Sequence, residues 1–269
     1  MIFIEKLFNI LQTEMPEPQP YGWFHLLCIG LFLLAVFFLY TRKNNYGEKQ
    51  LKYVLATYGI VAFILEMLKQ ISWSVQIDPI TSIMTWEYEW YSFPFQLCTT
   101  PIYVCLICLF LKKGKLRNSL FSYMSYITIL GSIMTVLLPE TCLVSDILVN
   151  IHTMWLHLGS LVVSVYLLMN EEVKVDKQSL ISAIYVFLVF VTIALCMNIV
   201  VYHTGILNGD SFDMFYISPY FISTLPVFDV VQQNVPYVVF LLTYIFALSL
   251  GGYIIYTIAK IFKYKIIMK

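Results

Sequence analysis

Charge is what this chain has least of. Only 12% of its 269 residues are Asp, Glu, Lys or Arg, against roughly a quarter in a water-soluble domain, and that excludes a single water-facing globule. Net charge is formally zero and no basic patch stands outside the loops named below, so nucleic acid is not an expected partner. A disulfide framework is also missing. Cys28, Cys98, Cys105, Cys108 and Cys196 lie in apolar stretches and only Cys142 lies in a loop. The Cys105-x-x-Cys108 spacing falls inside an apolar helix, a setting for packing rather than redox chemistry. The first twenty residues carry Glu5, Glu14, Glu17 and one lysine without an apolar run, so a signal peptide is not expected. Ile4, Leu7, Phe8 and Leu11 recur at helical spacing there, which suits either a short surface helix or a frayed terminus. No appended soluble domain, internal repeat, cofactor or metal site is expected.

What the chain has instead is length of apolar run. Stretches of about twenty apolar residues mark membrane-spanning helices, and seven are expected, at 22–40, 53–75, 93–111, 119–138, 151–169, 179–202 and 235–259. The fold class is therefore all-α, a polytopic seven-helix membrane bundle forming one membrane domain over 1–269. Positive charge alternates between the connections. Arg42, Lys43, Lys49 and Lys52 follow the first span, and Lys112, Lys113, Lys115 and Arg117 follow the third. Lys174 and Lys177 follow the fifth, and Lys260, Lys263, Lys265 and Lys269 form the tail. The second, fourth and sixth connections hold only Asp and Glu. The positive-inside rule then puts the N-terminus outside and the C-terminus in the cytoplasm. The stretch 203–234, aromatic and proline-containing, is expected to cap the outer mouth, or else to be a plain aromatic belt.

Polar groups inside spans are costly and commonly face the bundle interior. Glu66, Lys69 and Gln70 share one face of the second span, allowing an i,i+3 ion pair that either fixes packing or belongs to a substrate site. The third span opens with Pro94 suited to its first turn, and Pro101 is expected to kink it beside Cys98. Gln96 and Cys98 would then point to nearly opposite sides. In the fifth span Asn150, Thr153, His157, Ser160 and Ser164 form one polar stripe, with His152 about 140° away and expected at the interface. His25 and Asn198 are further candidates. Once each helix has a direction, His25, Glu66, Lys69, Gln70, Gln96, Cys98, His157 and Asn198 all fall in the outer half of the bilayer, and the expectation is one polar pocket there.

At these residues the chain resembles the YwaF family of bacterial integral membrane proteins. The motifs are Glu66-x-x-Lys69-Gln70, Pro94-Phe-Gln-Leu-Cys98, the His157 helix, Tyr216-Ile-Ser-Pro219 with Thr224-Leu-Pro226, and Pro236-Tyr237. That family is similar to a eukaryotic transmembrane family of lipid acyltransferases, and more distantly to androgen-induced-gene type membrane hydrolases of fatty-acid esters. The resemblance implies Cys98 as nucleophile and His157 as its base. Where many YwaF-like proteins have a histidine, this chain has Gln96. The expected function is acyl transfer or acyl-ester hydrolysis on membrane lipids in a bacterial plasma membrane. Proton-coupled binding or transport of a small solute, and a non-catalytic assembly role, are the alternatives.

Overall fold

A computed structural model describes residues 2–42, 46–78, 81 and 83–267; Lys43 and Lys269 lie outside the described residues. In chain order the helices are α1 (Ile2–Leu11), α2 (Trp23–Thr41), α3 (Glu48–Ser74), α4 (Thr100–Cys108), α5 (Lys115–Tyr123), α6 (Ile129–Leu137), α7 (Ile147–Met169), α8 (Lys177–Thr204), α9 (Phe228–Asn234) and α10 (Tyr237–Ile267). A π-helical turn, Met124–Thr128, joins α5 and α6 into one rod. Between α3 and α4 lies a short antiparallel hairpin, β1 (Val75–Ile77) with β2 (Met84–Trp86), in which Val75 faces Trp86.

Six of the described helical rods are long and apolar enough to cross a membrane: α2, α3, the 115–137 rod, α7, α8 and α10. The expected third span differs. Its helical part is only Thr100–Cys108, nine residues, or roughly 14 Å of rise against a hydrocarbon core of about 30 Å. The prolines mark where it starts. Pro94 disfavours the α conformation in the residue before it, and Phe93 is extended at φ −49°, ψ 134°. Pro101 does not kink a helix, as expected from sequence, but sits in the first turn of α4, where its missing N–H costs nothing. Pro94 lies before the helix altogether. The Leu97 carbonyl accepts the Thr100 hydroxyl at 2.8 Å. The segment nevertheless runs antiparallel to the length of α3. Gln70 meets Ser92 at one end, Gly59 packs on Cys105 and Leu106, and Glu48 meets Lys113 and Arg117 at the other.

The 115–137 rod is the most buried span. At its π turn the Met124 carbonyl accepts the Ile129 amide, and the Thr128 and Ser164 hydroxyls also donate to it at 3.1 Å. Two adjacent glycines let α10 close on this turn: a Cβ on Gly251 would lie 2.6 Å from Leu130 Cδ1, and one on Gly252 2.6 Å from Ile127 Cδ1. Side-chain caps start α7 and α8, where Asp146 accepts the Val149 amide and Asp176 the Ser179 amide.

The bundle has two chemically distinct ends. At the basic end Arg117, 1% exposed, bonds Glu48 at 2.5 Å and Glu172 at 2.9 Å, and Tyr46 hydrogen-bonds Glu172. Burial and the neighbouring Glu172 carboxylate push the Tyr46 phenol upward. At the opposite, capped end stand α1, the hairpin and the 205–236 connection. There α1 docks through Gln12, whose amide donates to the Ser72 and Val75 carbonyls at 2.8 Å.

Candidate functional site

At the capped end a cavity of about 520 Å³ opens between α3, the non-helical stretch before α4, the first turns of α7 and the cap. Lys69 and Trp73 come from α3; Gln96, Cys98 and Thr99 from the approach to α4; His152, Thr153, Leu156 and His157 from α7; and Asp213, Tyr216, Phe221, Ile222 and Thr224 from the cap. Tyr91 and Ile222, 47% and 56% exposed, stand at its rim.

Behind the wall lies a buried charge network. Glu66, 1% exposed, receives Lys69 Nζ and Gln70 Nε2 on one oxygen, both at 2.8 Å, and His152 Nε2 on the other at 2.7 Å. Gln70 passes the contact onward, donating to the Ser92 carbonyl at 2.6 Å and accepting the Tyr88 hydroxyl at 2.7 Å. A buried carboxylate demands this number of partners. Its consequence is to hold the Lys69 ammonium and the His152 ring at the cavity wall. His152 is therefore not interfacial. The helical-wheel angle that separates it from His157 turns it toward α3, where Glu66 waits.

The cap is pinned by two primary amides, one half-buried and one buried. Gln96 donates to the Asp213 carbonyl at 2.9 Å and accepts the Phe215 amide at 2.7 Å. Asn198 donates to the Met214 carbonyl at 3.0 Å and accepts its amide at 2.7 Å. Together they hold a segment in which Phe215 and Tyr216 take left-handed conformations, φ 60° and 59°. Further out, Gln232 ties the Ser218 and Phe221 carbonyls and the Ser223 amide. The expected outer cap is thus a folded strap with its own hydrogen bonds.

The sequence candidates separate accordingly. Lys69, Gln96, Cys98 and His157 line the cavity. Glu66 and Gln70 lie behind it as the network's centre. Asn198 staples the cap, and His25 is buried against Tyr21 and the α6 side, away from the cavity. Asp213 and Tyr216 were not singled out as polar groups from sequence. The available signal was an acidic residue inside the aromatic run Phe212-Asp213-Met214-Phe215-Tyr216.

The backbone adds one more feature. Cys98 stands just before the start of α4, its own amide turned to its sulfur, and among the described residues the Leu97 amide has no hydrogen-bond acceptor. The N-terminal end of a helix favours negative charge, so an oxyanion developing there would be stabilised.

Six membrane-length helices among the described residues define a multi-pass helical membrane protein, with a cavity at its capped end. The profile of the TMEM164 family, a transmembrane family, matches residues 18–256, and the chain belongs to that family. No curated protein and no solved structure gives a match.

Proposed function

We propose that this protein is a membrane-embedded acyltransferase or acyl-ester hydrolase acting on lipids, with Cys98 as nucleophile and His157 as its base. The observation that carries the reading is that these two residues, from different elements, line one cavity together with Lys69. An adjacent imidazole takes the thiol proton as sulfur attacks an acyl ester. The developing oxyanion is stabilised at the N-terminal end of α4, and the Lys69 ammonium, held by Glu66, neutralises a lipid phosphate. The acyl group then passes from the thioester to a second lipid or to water. No metal or cofactor enters this chemistry. The similarity to YwaF-like proteins and to lipid acyltransferases described above points the same way.

In this reading the chain is one membrane unit of a bacterial plasma membrane and crosses it seven times, the broken 92–113 segment being the extra crossing. The basic end is cytoplasmic and the cavity opens to the outer leaflet, where Tyr91 and Ile222 border the lipid entrance. Transport through the bundle would need a polar route to the basic end. The core in that direction is filled by Leu51, Leu55, Tyr58, Cys105 and Met124, each 3% exposed or less.

The test is lipid analysis of cells carrying Cys98→Ser or His157→Ala. The expected outcome is an altered phospholipid acyl profile and no labelling of the Cys98→Ser variant by a thiol-reactive lipid probe. A wild-type profile in both variants, with no labelling of wild-type Cys98, contradicts it.

A further inference from the structure

The cap carries a proton-handling group that the thiol–imidazole pair leaves unused. Asp213 lines the same cavity as Cys98 and His157. Its Oδ1 accepts the Ser218 amide at 2.7 Å, while its Oδ2 is buried with no hydrogen-bond partner among the described residues. No cation is paired with it there. Its position is over-determined: Gln96 holds its carbonyl, and Phe215 and Tyr216 just beyond are kept left-handed, a strained conformation that persists only where surrounding structure imposes it. Strain of this kind concentrates where a group must be aimed.

We propose that Asp213 is a second acid–base residue of this site, serving the oxygen atoms of donor and acceptor while His157 serves the sulfur. The proposal rests on the acyl-transfer reading above. In the first half-reaction Cys98 sulfur bonds the acyl carbon and its proton moves to His157. The carbon–oxygen bond of the donor breaks, and the Asp213 carboxyl gives its proton to the departing alkoxide. In the second half the acceptor hydroxyl oxygen bonds the acyl carbon and its proton moves to the Asp213 carboxylate. The carbon–sulfur bond breaks, and the His157 imidazolium returns a proton to the thiolate. Both groups end as they began.

Burial raises the Asp213 carboxyl to about 6, so both forms are populated near neutral pH, as acid–base exchange requires. The titratable and charged groups that share its cavity are Lys69 from α3, Cys98, and His152 and His157 from α7. Tyr216 on its own segment and Tyr237 and Tyr244 from α10 also sense its charge.

The experiment compares acylation of Cys98, read by intact-protein mass spectrometry on the full chain, with two donors. One is a diacyl glycerophospholipid, whose leaving alkoxide needs a proton. The other is a p-nitrophenyl acyl ester, whose leaving group does not. Asp213→Asn, which keeps the shape and the acceptor for the Ser218 amide, should slow the phospholipid reaction by about 100-fold and leave the nitrophenyl reaction within about threefold of wild type. An equal effect on both donors, or none on either, overturns the role of Asp213 while leaving Cys98 as nucleophile. Failure of wild-type Cys98 to accept acyl from either donor removes the acyl-transfer reading and this proposal together. Wild type carries an independent readout: the phospholipid-to-nitrophenyl rate ratio should fall as pH rises through about 6, and a flat ratio between about pH 5 and 8 overturns the proposal even if the variant does not fold.

Discussion

Glu66 is the residue on which the wall of the cavity depends. Three donors converge on its two oxygens, and two of them, Lys69 and His152, line the cavity. Removing one partner of a buried pair leaves the others uncompensated, at about 3–5 kcal/mol. Glu66→Ala should therefore destabilise the protein by about that much, read as a large drop in melting temperature in detergent, and Glu66→Gln by less because it still accepts. A melting temperature unchanged in Glu66→Ala would mean that the network does not hold the wall. Asp213 gives the opposite sign. Its folded-state value, about 6, is raised above the ordinary 3.8. Its contribution to stability is thus fully present below about pH 3.8 and lost as pH rises through 6. Asp213→Asn escapes that loss, so the variant and wild type should melt together near pH 4 and the variant should melt higher at pH 8. Equal melting temperatures at both pH values would contradict the burial of an unpaired carboxylate. The Glu66–Lys69–Gln70 face was legible in the sequence from i,i+3 and i,i+4 spacing. The His152 contact was not, because a helical wheel gives angles within one helix and not the neighbour each angle meets.

At the scale of elements, the cap and the broken third segment make the cavity together. A single continuous helix over 93–111 would carry Gln96 and Cys98 on opposite faces. Starting the helix at Thr100 instead frees the preceding stretch, so that both reach the cavity while Gln96 also holds the cap. Pro94 and Pro101 carried that signal, but the reading of Pro101 as a kink within a longer helix missed that a proline is best tolerated in a first turn. The cap was legible only as a long aromatic stretch, since the amides that tie it to the bundle come from Gln96 and Asn198, more than a dozen residues away in sequence. Each of these amides satisfies one buried N–H and one buried C=O of the 213–215 segment. Gln96→Ala and Asn198→Ala should each cost about 2–4 kcal/mol, by leaving two backbone groups unpaired. Because both act on one segment, the double variant should fall short of the sum by about 1 kcal/mol. Strict additivity in a thermal-unfolding cycle would show that the two amides hold independent pieces.

At the scale of the whole molecule, two ends of opposite character organise the chain. Span direction and charge alternation grouped residues as distant as Lys69 and His157 in the sequence, and these two line one cavity. Azimuth was not readable. His25 and Asn198, grouped with them by the same reasoning, stand away from the cavity, because rotation of a helix about its axis is set by packing. If the basic end is cytoplasmic, a cysteine replacing Ile222 at the cavity rim should react with a membrane-impermeant maleimide on intact cells, and one replacing Lys113 only after permeabilisation. The reverse pattern would invert the orientation. The most direct test of the account is the intact mass of the protein purified from its membrane, with Cys98→Ser and His157→Ala beside it. The account predicts an acyl mass on wild type that peptide mapping puts on Cys98, absent from Cys98→Ser and depleted in His157→Ala. An unmodified Cys98 in wild type after incubation with phospholipid, or an acyl group that persists in Cys98→Ser, would contradict it.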